Sequence, residues 1–93
     1  MRYDWDEAKD RRNIAERNLP FSLAVALFEN SVLVREDTRQ DYGERRLIAL
    51  GRAGDQILVC VYTDRGEHRR IISLRPANRR ERDAYHASRS EDI

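Results

Sequence analysis

Residues 57–81 read Ile57-Leu-Val-Cys-Val-Tyr62-Thr-Asp-Arg-Gly66-Glu-His-Arg-Arg-Ile71-Ile-Ser-Leu-Arg75-Pro-Ala-Asn-Arg-Arg-Glu81, and this stretch decides the fold. Ile57 to Tyr62 is apolar on both faces. That is the pattern of a central strand, covered on both sides or on one side with Tyr62 at the lip of a cleft. Asp64-Arg65-Gly66 has hairpin chemistry, with Asp at the start and Gly at the tip. His68 to Arg75 is then the next strand. Plain alternation sets Arg70, Ile72 and Leu74 on one face and Arg69, Ile71, Ser73 and Arg75 on the other. Pro76-Ala77 ends it. Asn78 is a good N-cap and Glu81 stands at the third position of a capping box, which predicts a helix over about Arg79 to Ala87. The tail Ser88 to Ile93 has little to bury and is expected to fray.

Upstream of that stretch, Arg45 to Leu50 reads as a strand and Gly51 to Asp55 as the turn that follows it. Val32-Leu33-Val34 is a β-branched-rich run, too short for a helix, and so another strand. Arg35 to Gly43 is a polar loop. Phe21, Ala24, Val25 and Phe28 fall at i, i+3, i+4 and i+7, one apolar helix face with Leu27 beside it. Asn18-Leu19-Pro20 separates this helix from an earlier one, since proline cannot continue a helix. Asp4 or Asp6 caps that first helix, Glu7 suits its first turn, and it runs to about Arg17. Its apolar stripe is thin: Trp5, Ala8 and Ala15, with Ile14 beside them. Trp5 can also extend a short strand ahead of it. The order helix, helix, four strands, helix predicts an α+β fold, a mostly antiparallel four-stranded meander with helices on one face.

The chain of 93 residues suits one domain over 1–93, because a second core would not fit. With 40% hydrophobic and 38% charged residues it can bury a core, which excludes an acidic or Gly/Ser-rich disordered segment. The longest apolar runs, Leu23 to Phe28 and Ile57 to Tyr62, fall far short of the roughly 18 to 20 residues that span a bilayer. The opening residues carry no export pattern, and a cytoplasmic location is expected. One cysteine, Cys60, excludes an internal disulfide and a multi-cysteine zinc site, and reads as a small core residue.

The net charge of +1 does not announce a nucleic-acid binder, but its distribution is uneven. Residues 1–64 hold ten basic and twelve acidic groups, whereas 65–82 hold seven arginines against Glu67 and Glu81. Lys9 is the one lysine. Arg79 and Arg80 sit in a predicted first helical turn, where the dipole disfavours cations by about 0.3 to 1 kcal/mol each. An anion brought there would meet backbone amides and two guanidinium groups, with Arg75 at the preceding strand end: a phosphate site. The opposing reading is that Glu81, Glu44 or the Asp-rich loop neutralises these arginines internally. Asp4, Asp6, Glu7 and Asp10 are dense, but capping and nearby Arg11 and Arg12 account for them, so no metal or other cofactor is expected. No Gly-rich phosphate loop, nucleophile elbow or zinc spacing is present. His68 and His86, the only histidines, read as solvated side chains. Tyr85 lies seven residues past Asn78 on the same side of its helix, as a core residue or a proton handler.

Several segments in order resemble the BrnT toxins of bacterial type II toxin-antitoxin modules. These are Trp5-Asp6-Glu7-Ala8-Lys9 with Asn13, Pro20-Phe21 before Ala24 to Phe28, Tyr42-Gly43-Glu44-Arg45-Arg46 with Ile48-Ala49-Leu50-Gly51, Val61-Tyr62-Thr63 leading into Arg70 to Arg75, and Arg79 to Tyr85. The resemblance covers about residues 3–86. It implies a RelE-like fold and a metal-independent endoribonuclease that stops translation. It also implies a BrnA-like antitoxin with a ribbon-helix-helix domain, through which alone operator DNA would be bound. Cleaving an RNA phosphodiester without metal takes a base for the 2′-hydroxyl, positive charge on the phosphorane and an acid for the leaving 5′-oxygen. The resemblance puts Lys9, Arg70, Arg75, Arg79 and Tyr85 in those roles, with Arg75 and Arg79 on the scissile phosphate and Tyr85 or Lys9 handling protons. Arg45, Arg69 and Arg80 are the expected further RNA contacts. Where the family ends its first helix with Lys-His-Gly, this chain has Arg17-Asn18-Leu19. That departure leaves a second reading: a catalytically weak or inactive homologue acting as a corepressor on its antitoxin. Autonomous binding to duplex DNA has little support, since no helix-turn-helix or ribbon-helix-helix pattern is visible.

Overall fold

The computed structural model describes residues 1–90. They run through β1 (Arg2–Trp5), α1 (Glu7–Arg17), α2 (Leu23–Phe28), β2 (Leu33–Glu36), β3 (Leu47–Ala53), β4 (Gln56–Arg65), β5 (His68–Pro76) and α3 (Arg79–Ser90). The fold is α+β, and the strands form one sheet in the order β1-β5-β4-β3-β2. Strands β2 to β5 make the antiparallel meander that the sequence predicts. The expected four strands become five, and the sheet mixed, because β1 joins β5 in parallel, with Asp4 opposite Arg70 and Trp5 opposite Ile71.

The apolar run of β4 explains the layers. Leu58, Cys60 and Tyr62 point into a core built with Leu19, Phe21, Ala24 and Leu27 from α2 and the segment before it. Their neighbours Val59 and Val61 point the other way, into a smaller cluster with Ile48 and Ala77. A strand that is apolar on both faces needs cover on both. Accordingly α3 lies on the face opposite α2, where the sequence reading had put all helices on one face. Cys60 is fully buried, as expected, and burial pushes its thiol up to about 12.

The strand β5 departs from plain alternation. Val61 lies opposite Ser73 while Tyr62 lies opposite Ile71, so Ile72 is an extra residue, a β-bulge. Ile71 and Leu74 therefore both enter the larger core. The bulge also corrects the predicted faces of the arginines. Arg70, opposite Thr63, and Arg75, opposite Val59, now share the face that α3 crosses, and Arg69, opposite Asp64, has the other.

Other boundaries shift for local reasons. Gly51, predicted to open a turn, belongs to β3, and the turn falls at Gly54 with φ 60°. A Cβ on Gly51 would lie 2.7 Å from Val32 Cγ1 and 3.1 Å from Leu27 Cγ, so the missing side chain is what lets α2 and Val32 close on the strand. The second helix begins at Leu23 rather than Phe21, whose N–H donates to Asp10 Oδ1 at 2.7 Å. Asp6 is the cap of α1, accepting from the Lys9 N–H at 3.1 Å. The one buried residue of α1 is polar: Asn13 Nδ2 donates to Leu19 O at 2.7 Å and to Leu74 O at 3.0 Å. Helix α1 thus docks on β5 through an amide, and Ile14 stays 41% exposed. Residues 88–90 of the expected frayed tail continue α3, and 91–93 lie outside the described residues. No helix among the described residues is long and apolar enough to cross a membrane.

Candidate functional site

The face under α3 is ordered by two cross-strand rows. One runs Ser73, Val61, Ile48, Arg35, and the other Arg75, Val59, Leu50, Leu33. Arginines thus stand at opposite sides of a small apolar floor. The start of α3 descends on that floor, because Pro76 ends β5 and Asn78 caps the helix. The predicted capping box is present: Asn78 Oδ1 accepts from the Glu81 N–H and Glu81 Oε1 from the Asn78 N–H, both at 2.8 Å.

Glu81 does more than cap. Its carboxylate takes the Arg75 guanidinium end-on, Nη1 to Oε1 at 2.8 Å and Nη2 to Oε2 at 2.9 Å. The Arg75 hydrogen bonds, then the Asn78 amide and the charges of Arg75 and Arg35, hold its carboxyl down at about 2, against the opposing effect of burial. A carboxylate held by a guanidinium fork and a helix-start amide occupies the position that a phosphate oxygen pair would take. Arg39 is close enough to act on Arg75 electrostatically, although its own fork is closed on buried Asp37 at 2.8 and 2.7 Å. That pairing, aided by the Tyr42 hydroxyl at 3.1 Å, holds Asp37 far below the usual carboxylate range. Arg79 and Arg80 make no ion pair among the described residues, and Arg80 faces the floor beside Arg35. Arg75 is therefore neutralised internally by Glu81, as one reading of this corner expects, whereas Arg79 and Arg80 have no such partner among the described residues.

The other expected residues are dispersed. Arg70 lies further down the same face, 3.1 Å from Asp4 Oδ1, with His68 Nδ1 3.6 Å from the other oxygen of that carboxylate. Lys9 lines a separate polar hollow with Arg12, Glu16, Arg17, Ile72 and Ser73, which approaches the corner through Ser73, two residues before Arg75. Tyr85 is one turn beyond Glu81 on the same side of α3, only 3% exposed, with the Arg89 guanidinium 5.7 Å from its ring. Arg45 is solvated and 3.5 Å from Glu36. Arg69 is on the opposite face, its guanidinium 4.3 Å from the Phe28 ring and 4.6 Å from the Tyr62 ring, its fork on Asp64 at 2.8 and 2.9 Å. Arg35 and Arg39, read only as part of a polar loop, belong to the corner. Nothing local marks them, since Arg35 arrives there through its pairing with Ile48.

The acidic N-terminal residues are occupied one by one: Asp4 by Arg70, Asp6 by the Lys9 amide and Asp10 by the Phe21 amide. Among the described residues no three His, Cys, Asp or Glu side chains group in a way that could hold a metal ion.

The model of the family described as "Ribonuclease toxin, BrnT, of type II toxin-antitoxin system" matches residues 5–81. No curated protein matches the chain.

Proposed function

Because the chain belongs to the BrnT family of ribonuclease toxins of type II toxin-antitoxin systems, we propose that it cleaves RNA without metal on the sheet face crossed by α3. The observation that carries this is the corner at the start of α3, where Arg35, Arg75 and Arg80 surround the single carboxylate of Glu81. The scissile phosphate takes the place of that carboxylate on Arg75, and Arg79 and Arg80 supply uncommitted charge at the helix start. Arg70 binds the strand further down the same face and Arg45 contacts it at the rim. Attack of a 2′-hydroxyl on the adjacent phosphorus displaces the 5′-oxygen and leaves a 2′,3′-cyclic phosphate. The guanidinium groups stabilise the extra negative charge of the phosphorane. Lys9 or Tyr85 moves the protons: Tyr85 is one turn from Glu81, and the Lys9 hollow opens beside Ser73. Arg69, enclosed by two rings and Asp64, holds α2 to the sheet rather than RNA. Cleavage of message in the cytoplasm stops translation, and a BrnA-like ribbon-helix-helix antitoxin neutralises the toxin and carries it to operator DNA.

The test is purified chain incubated with single-stranded RNA in excess EDTA. The expected result is products with 2′,3′-cyclic ends. The variant Arg79→Ala is expected to lower the rate about 100-fold with an unchanged melting temperature, since Arg79 has no ion-pair partner to lose among the described residues. Activity that vanishes with EDTA, or an Arg79→Ala variant as fast as wild type, overturns the assignment. The bidentate occupancy of Arg75 by Glu81 favours one competitor, the inactive corepressor. It predicts intact RNA alongside tighter operator binding by the antitoxin when this chain is added.

A further inference from the structure

Among the described residues the sheet ends at β2, which pairs only with β3. Asp37 N–H donates to Arg46 O at 2.8 Å, and the antiparallel register places Arg35 and Leu33 at the next hydrogen-bonded positions. Val34 and Glu36 therefore turn their N–H and C=O groups outward, away from β3. Every residue of β2 is exposed, Leu33 by 40% and Val34 by 48%. A free edge that exposes two apolar residues beside unpaired backbone groups can accept another strand, here one that answers the charges of Arg35 and Glu36.

Beside this edge, between β2 and α3, lies an open groove of about 320 Å³. Its floor and walls are mainly carbon, from Leu33, Val34, Ile48, Leu50, Val59 and Ala84, with Glu81, already held by Arg75, at the α3 side. Its rim carries Arg35 and Arg80, neither in an ion pair among the described residues. An RNA backbone would leave that floor wet. An extended peptide would hydrogen-bond to Val34 and Glu36, place alternate apolar side chains in the groove and bring carboxylates to the two arginines.

We propose that the β2 edge and its groove seat an extended segment of the antitoxin, apolar at alternate positions and flanked by acidic residues. The occupant rests on the reading of this chain as the toxin of a two-protein module, a family in which an antitoxin partner is implied. A segment so placed lays its carboxylates on Arg80, next to the Arg75–Glu81 pair. Antitoxin and RNA then compete for one corner, and neutralisation is steric and electrostatic exclusion.

The experiment uses the intact chain and the antitoxin encoded beside it, with affinity read by calorimetry. Leu33→Asp, at an exposed position, is expected to weaken antitoxin binding tenfold or more at an unchanged melting temperature. Hydrogen exchange of the complex is expected to show the Val34 and Glu36 amides protected. Undiminished affinity in both Leu33→Asp and Arg80→Glu, or unchanged exchange at Val34 and Glu36, overturns the proposal. So does a Leu33→Asp variant that loses binding to a single-stranded RNA oligonucleotide instead, or one that only dissolves a self-dimer. If the wild-type chain leaves RNA intact while Leu33→Asp still loses the antitoxin, the groove assignment stands and the ribonuclease reading falls.

Discussion

Asn13 and Glu81 show how much of this molecule rests on single polar side chains. The Asn13 amide gives its hydrogens to Leu19 O and Leu74 O and takes Arg17 Nη1 on its oxygen at 2.7 Å. Asn13→Ala would leave those carbonyls without a donor, at a cost of about 2 to 3 kcal/mol by urea denaturation. Asn13→Asp should cost more, because a carboxylate would then face two carbonyl oxygens. Glu81 yields a pH dependence. Its ordinary value of 4.5 falls to about 2 in the folded chain, so its contribution is complete above 4.5 and is lost as pH drops towards 2. Glu81→Gln is expected to flatten the acid limb of the stability curve, and a limb as steep as wild type would refute that pairing. Glu81 is legible in the sequence as a capping residue because its partner is three positions away. The role of Asn13 is not, because the carbonyl that matters is 61 residues on.

At the level of elements, the hairpin of β4 and β5 and the cap of α3 were legible, since each depends on residues a few positions apart. The bulge at Ile72 was not. A period of two assigns Arg70 and Arg75 to opposite faces, and one extra residue puts both on the face of α3. The candidate site thus depends on a register break that no local pattern in Ile71-Ile72-Ser73 announces. The role of Gly51 was equally hidden, because the atoms that crowd it come from α2 and from Val32. Gly51→Ala should destabilise the fold by about 1 to 3 kcal/mol through overpacking, and a thermal melt checks this. Gly54, at the φ of 60° of the turn, is the contrasting position, where the strain lies in the backbone and no atom stands near.

Across the whole molecule, near-neutral net charge conceals a sorting of charge by face. Asp64 engages Arg69 on the α2 side, whereas Arg79 and Arg80 make no ion pair among the described residues on the α3 side. If Arg70, Arg75, Arg79 and Arg80 all meet phosphates, the logarithm of RNA affinity should fall with the logarithm of salt at a slope of about −2 to −3. Fluorescence anisotropy of a single-stranded oligonucleotide across a salt series measures it, and a slope near zero would remove the electrostatic basis of the reading. The parallel pairing of β1 with β5 has a kinetic consequence. During synthesis β1 leaves the ribosome long before its only partner strand exists, and Trp5 must wait for Ile71. Closing so long a loop is entropically slow, so the edge strand is among the last parts to settle, and a nascent chain halted before β5 lacks both the partner of β1 and the strand that carries Arg70 and Arg75.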